Sequence, residues 1–234
     1  MVRIYLIRHG QASFRSSDYD QLSEAGVEQS RLLGDWFNHC RIPVHRIAAG
    51  GMRRHEQTAE AFFSAFPDMP DWTGRLHRDV RFNEFDHLDM LRCWHAAEQS
   101  NGASQQKSFA EMTLNDFNRV MSGALERWAS GQHDEDYGEP WPVFRDRCVA
   151  AAAGVVESAQ PGENVLVFTS CGTISAICRH VLNLSEEHML LLLWQIANAS
   201  VTCIVWKNGR FALSSLNSTA HIDRIGNPEL LTYK

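Results

Sequence analysis

The sequence predicts an α/β fold built on a mainly parallel sheet, and two observations predict it. The first is a near-continuous apolar run at residues 2–7, with Val2, Ile4, Tyr5, Leu6 and Ile7 interrupted by Arg3 alone. Such a run of β-branched, aromatic and aliphatic residues suits a strand buried on both faces of a parallel sheet. The second is a matching run, Val165, Leu166, Val167 and Phe168, which is followed by a short polar turn and a helix-spaced apolar set. That set is Ile174, Ile177, Cys178, Val181 and Leu182. Strands alternating with amphipathic helices are the pattern of βαβ units.

The remaining elements follow in order. The first strand stops at Arg8-His9-Gly10, and a polar loop marked by Ser13, Ser16, Ser17, Asp18 and Asp20 leads to Ser23. Ser23 can cap a helix whose apolar face is Leu32, Leu33, Trp36 and Phe37. Residues 46–49 form a second strand candidate, closed by Gly50-Gly51. Ala59, Phe62, Phe63 and Phe66 then mark a second helix, with Arg53, Arg54 and His55 in its first turn. A loop at 67–74 and a short strand at 79–82 precede Glu84. The 88–131 stretch predicts helix in pieces around a polar loop at 100–106, and 132–139 predicts an acidic, flexible connector. Phe144, Cys148, Ala152 and Val155 line one more helix, and Ser185 caps another. Lys207-Asn208-Gly209 reads as a hairpin turn between two strands, with Asn198 a candidate pocket residue just before them.

Length and composition bound the function. The chain has 234 residues, enough for one large α/β domain. A net charge of −6 argues against a broad nucleic-acid surface, leaving room for a local basic pocket. After Met1 the chain enters the strand directly, so no leader is expected, and the longest later apolar run, 189–194, is too short for a bilayer. The six cysteines, Cys40, Cys93, Cys148, Cys171, Cys178 and Cys203, are scattered without a Cys-x-x-Cys pair. That usage suits a reducing, cytoplasmic setting. The eleven histidines include no His-x-x-x-His pair with acidic support, so no metal is expected.

The polar residues gather at strand ends and at one helix start, where open α/β sheets bind ligands. Arg8 offers a fork of donors for phosphate or carboxylate, and neutral His9 can act as nucleophile or base. Arg53 and Arg54 stand where the helix dipole opposes cations, which suggests a bound anion; the alternative is a solvated basic turn. Phosphoryl transfer through a histidine needs such a set: an imidazole in line, two guanidiniums on the equatorial oxygens, and an acid for the leaving alkoxide.

On these residues the chain resembles the histidine phosphatase superfamily, the phosphoglycerate mutase-like family. Leu6-Ile7-Arg8-His9-Gly10-Gln11 resembles its signature, Arg54-His55-Glu56-Gln57-Thr58-Ala59 its Arg-x-x-Gln-Thr-Ala pattern, and Leu22, Ser23 and Gly26 its helix entry. Asn83-Glu84-Phe85 is similar to the segment carrying its proton donor. The resemblance implies a three-layer α/β/α sandwich in a single domain over 1–234, with a variable helical insertion at about 88–140. It implies hydrolysis of a phosphorylated small molecule or protein through a phosphohistidine on His9, with Arg8 and Arg54 holding the phosphoryl group and Glu84 as acid and base. Substrate binding falls to Gly10, Gln11, Ser13, Cys171, Gly172 and His221, with no cofactor.

There is one departure. The family places a Ser-His-Gly sequence after the second buried strand, and here it reads Ser170-Cys171-Gly172. A thiol supplies no cationic donor. His87 and His221 are the candidate substitutes, and a turnover deficit or a non-catalytic phospholigand-binding role is the rival reading. A cysteine-phosphatase loop is excluded, because the position six residues after Cys171 holds Ile177 and not arginine. Mutase activity is disfavoured by Phe85-Asp86-His87-Leu88 after the glutamate.

Overall fold

The computed structural model describes residues 1–13, 20–100 and 113–233. Six strands form one sheet: β1 (Val2–Arg8), β2 (Arg46–Ala49), β3 (Leu76–Arg78), β4 (Asn164–Thr169), β5 (Val201–Lys207) and β6 (Arg210–Ser218). Their order is β3-β2-β4-β1-β5-β6. β3, β2, β4 and β1 pair in parallel, and β5 runs antiparallel to both β1 and β6. The chain crosses between β1 and its neighbour β4 only after β2 and β3 have been laid down, so the ends of β1 and β4 lie side by side with Arg8 opposite Thr169. That juxtaposition creates the site.

The two-residue period of the strands sorts their side chains into two cores. Ile4, Leu6, Val165 and Val167 face one core. It is covered by α4 (His87–Ser100), α5 (Leu114–Ala129), α6 (Trp141–Ser158), α7 (Cys171–Leu182) and α8 (Glu186–Gln195). Ile7, Leu166 and Phe168 face the other core, covered by α1 (Glu24–His39) and α2 (Arg53–Phe63). There the Phe62 ring meets Phe37 edge-on at 5.3 Å and Phe168 at 5.5 Å. Burying one such ring contributes about 1.5–3 kcal/mol. Every residue of β4 is buried, as its unbroken apolar run demands.

Local chemistry accounts for the element ends. Ser23 Oγ accepts from Gly26 N at 3.1 Å and starts α1. Asn208 and Gly209 take φ of +53° and +76°, the left-handed pair that a two-residue hairpin turn requires, between β5 and β6.

Several expectations are corrected. The strand expected at 79–82 lies earlier, at β3, where Leu76, His77 and Arg78 pair with β2. Val80–Phe82 is a 3-10 turn because Asp79 accepts from Arg81 N and bends the chain. The loop expected at 67–74 contains a one-turn helix, α3 (Trp72–Arg75), with Trp72 stacked on Phe63 at 5.0 Å. The connector at 132–139 is tied down rather than loose. Gly138 N donates to Asp89, Trp128 Nε1 donates to the Glu139 carbonyl, and Arg127 pairs with Asp136. The expected polar loop at 100–106 falls, beyond Ser100, outside the described residues.

Candidate active site

The end of β1 delivers two buried polar side chains, Arg8 and His9. The His9 amide donates to the Thr169 carbonyl at 2.8 Å, locking the end of β1 to that of β4. His9 Nδ1 lies 2.7 Å from the Gly10 carbonyl. A carbonyl can only accept, so Nδ1 carries the proton and the lone pair is on Nε2. Burial, reinforced by the charges of Arg54 and Arg8, holds the His9 pKa well below its ordinary value, so the ring is neutral. A neutral imidazole with a fixed tautomer is a competent nucleophile. Gly10 permits this turn: a Cβ there would sit 2.2 Å from the Gly26 carbonyl of α1.

The two guanidiniums share a design. Arg8 Nη1 donates to the carbonyls of Ile196 and Tyr233, the latter at 3.1 Å. Arg54 Nη1 pairs with Asp20 at 2.8 Å. In each, one edge is tethered and the buried Nε has no protein partner among the described residues. An unpartnered buried donor costs about 1–3 kcal/mol, more when charged. Two such donors beside His9 mark an anion site. Asp20 also accepts from Arg53 N at 2.8 Å, so its carboxylate sits at the start of α2, where the dipole favours an anion.

The opposite wall is built on β4 and α7. Glu84 Oε2 accepts from Gly172 N at 3.0 Å and from Cys171 Sγ at 3.5 Å, at the first turn of α7. Gly172 is required here, since a Cβ would lie 2.1 Å from Glu84 Oε1. The turn bearing Glu84 is fixed from below. Thr169 Oγ1 donates to the Phe82 carbonyl at 2.6 Å, Thr173 Oγ1 to the Asn83 carbonyl at 3.0 Å, and Arg147 Nη1 to the carbonyls of Arg81 and Asn83, both at 2.8 Å. Burial pushes the Cys171 thiol up to about 11; Arg8 and Arg54 pull it down, and Glu84 adds to the rise. The thiol is therefore neutral and acts as a weak donor to Glu84. Its Sγ lies 3.5 Å from Glu84 Oε2, and the charges of Arg8 and Arg54 are felt there.

The structure brings together Arg8, His9, Gly10, Arg54, Glu84, Cys171 and Gly172. His87, at the start of α4, also lies near. Burial lowers its pKa and the Arg54 charge adds to this, while Asp86 and Glu84 oppose it. Gln11 and Ser13 serve the loop instead. Gln11 Oε1 accepts from Ser23 Oγ at 2.9 Å, and Ser13 Oγ donates to the Leu22 carbonyl at 3.1 Å.

His221 is a correction. It lies on a short helix, α9 (Ala220–Asp223), packed on α1, and lines a separate cleft with Leu32, Asp35, Trp36, His39 and Arg224. Burial drives its pKa down to about 4, opposed by Asp223 alone. The packing of α9 on α1 is what places His221 in that cleft.

Sequence reasoning passed over His55. It is fully buried, with Nε2 2.7 Å from Ser170 Oγ and its ring centroid 6.0 Å from that of His9. Its place next to Arg54 was visible, but its burial was not. The solvated-turn alternative holds for Arg53, which is exposed, and fails for Arg54 and His55. Among the described residues, no group of three or more His, Cys, Asp or Glu side chains could hold a metal ion.

A tethered arginine pair around a buried histidine, faced by a carboxylate at a helix start, forms a pocket with the donor chemistry for an anion in an α/β protein. The family model for the histidine phosphatase superfamily, branch 1, matches residues 4–219, and the chain belongs to this family. Among solved structures, the fold is similar to a phosphoserine phosphatase of Entamoeba histolytica in complex with phosphoserine (TM-score 0.64, 14% identity, covering 95% of this chain and 100% of that one). It is similar to YhfR of Bacillus stearothermophilus (TM-score 0.63, 18% identity, 95% and 100% covered). A mycobacterial glucosyl-3-phosphoglycerate phosphatase gives a TM-score of 0.60 at 20% identity, with 93% and 99% covered. No curated protein matches the sequence.

Proposed function

We propose that the chain is a phosphomonoesterase that works through a phosphohistidine on His9. The observation that carries this reading is the His9 tautomer: Nδ1 is committed to the Gly10 carbonyl, which leaves Nε2 as the attacking atom beside Arg8 and Arg54. In this reading Nε2 attacks the phosphorus and the P–O bond to the leaving group breaks. The arginines hold the equatorial oxygens, and Glu84 delivers a proton to the departing alkoxide. Glu84 then takes a proton from water as that water attacks the phosphoryl group and frees His9. Substrates are phosphorylated small molecules or proteins.

Cys171 bears on the rate. A neutral thiol donates weakly and carries no charge toward the transition-state oxygens. Loss of one strong donor from such a site costs about 2.7–4 kcal/mol, a rate factor of roughly a hundred to a thousand. Slow turnover on generic phosphomonoesters is the expected result. The test is to incubate the protein with a radiolabelled phosphomonoester and quench it in alkaline detergent, where phosphoramidates persist. Label retained on the peptide containing His9 supports the reading. Hydrolysis with no labelled protein at any time point argues for direct attack by water. Phosphate binding with no hydrolysis argues for a non-catalytic phospholigand-binding protein.

A further inference from the structure

Residues 230–233 run across the back of the phosphoryl site, and their polar contacts reach both Arg8 and His9. The amide of Asn198 donates to the Thr232 carbonyl at 2.8 Å. Thr232 Oγ1 donates to Asn198 Oδ1 at 3.0 Å and accepts from Gln29 Nε2 at 2.8 Å. Gln29 Nε2 also donates to the Leu230 carbonyl at 2.8 Å. The far ends of both amides reach the site: Gln29 Oε1 accepts from Gln11 N at 2.9 Å, and Asn198 Nδ2 donates to the His9 carbonyl at 3.3 Å. One residue further on, the Tyr233 carbonyl accepts from Arg8 Nη1 at 3.1 Å. Gln29 and Asn198 are fully buried, while Leu231 and Tyr233 are exposed, so the segment is a surface strap whose backbone points inward.

We propose that Thr232 is a positioning residue for the phosphoryl site: its hydroxyl clips the 230–233 strap between Gln29 and Asn198, and the docked strap sets the orientation of Arg8. The physical reason is polar satisfaction. Gln29 and Asn198 are buried amides, and each loses a partner if the hydroxyl is removed. Without the hydroxyl the strap is left with the bonds from Asn198 N to the Thr232 carbonyl and from Gln29 Nε2 to the Leu230 carbonyl, and with Asn198 Oδ1 unpaired it opens more readily at Tyr233. Arg8 then retains the Ile196 carbonyl alone and swings on one tether. A guanidinium held at two points loses less freedom when it binds an anion than one held at a single point.

The inference rests on the reading of Arg8 as a phosphoryl ligand, and the experiment separates the two. Thr232→Val keeps the shape and removes the hydroxyl; Thr232→Ser restores the hydroxyl. Vanadate and inorganic phosphate affinity are measured by titration, and the Arg8 Nε–H resonance is followed by nitrogen-resolved NMR with its solvent-exchange rate. Thr232→Val is expected to weaken vanadate binding by about three- to tenfold, the size of one net hydrogen bond, and to speed exchange at Arg8. Thr232→Ser should return both to near the wild-type value. A Thr232→Val protein with a lower melting temperature but unchanged vanadate affinity and Arg8 exchange overturns the proposal, because the clip then serves stability alone. If the wild-type chain binds neither anion, the phosphatase reading fails, and the Arg8 exchange rate still decides the role of Thr232.

Discussion

The two walls of the site are built differently. The basic wall, from the end of β1 and the start of α2, holds its charges by tethers remote in sequence: Ile196 and Tyr233 for Arg8, Asp20 for Arg54. Each tether takes one edge of a guanidinium and leaves a buried Nε without a partner among the described residues. The acid wall, from the turn at Glu84 and the start of α7, is satisfied internally. Its carboxylate already accepts from Gly172 N and from the Cys171 thiol. The basic wall therefore keeps a free donor on each guanidinium among the described residues, as the proposed function requires. The acid wall is arranged to present one carboxyl group in a fixed place.

The sharpest break between the walls is His9→Ala. It removes the proposed nucleophile, and turnover should fall to the background rate with the fold intact. Circular dichroism and a phosphatase assay check this; substantial residual activity would end the mechanism. Next in size is Glu84→Gln. Loss of a general acid should slow alkyl phosphate hydrolysis on the order of a hundred- to ten-thousandfold. p-Nitrophenyl phosphate should be far less affected, because its leaving group needs no proton. Equal losses on both substrates would make the acid wall structural.

Arg54→Ala tests the basic wall. A charge-assisted hydrogen bond contributes about 1.5–3 kcal/mol, so vanadate affinity should drop on the order of ten- to a hundredfold. An unchanged titration would place Arg54 outside the pocket. The smallest expected effect is on stability. Burial lowers the pKa values of His9 and His55, so both rings are neutral in the folded chain and can protonate once unfolded. Below the unfolded value of about 6.5 the unfolded chain binds more protons. Stability is thus full above that pH and falls as the pH drops, by on the order of 1 kcal/mol per pH unit for each ring. Urea midpoints at about pH 7.5 and about pH 5.5 read this slope, and His55→Gln should flatten it. A midpoint independent of pH would show that the rings titrate normally.

Much of the basic wall was legible in the sequence. Arg8, His9 and Gly10 end an apolar run, and a strand that ends in a parallel sheet must present its last residues at the carboxyl edge. Arg54 was legible from the resemblance of residues 54–59 to the family's pattern, and within it the Thr58 hydroxyl accepts from Gly10 N at 3.1 Å and donates to the Arg54 carbonyl at 2.6 Å. The same strand logic placed Cys171, because the β4–α7 unit repeats the pattern of β1.

Other parts only the tertiary structure decided. The order of strands brings Thr169 beside Arg8 across more than 150 residues, and no local periodicity encodes that pairing. The tethers of Arg8 come from Ile196 and Tyr233 through backbone carbonyls, which every residue possesses and no side-chain pattern reveals. Arg147 sits in a helix whose sequence carries no motif, yet its guanidinium fixes the turn before Glu84. His221 was read as a pocket residue from the resemblance of its segment to the family, and the packing of α9 on α1 put it in another cleft. Hydrophobic period and chain punctuation are local, so the sequence by itself determined the long strands and helices and the residues at the ends of β1 and β4, while the short β3 and α3 escaped it. Contacts between distant backbones and buried charges are non-local, so which of those residues share one pocket was decided only when the sheet closed.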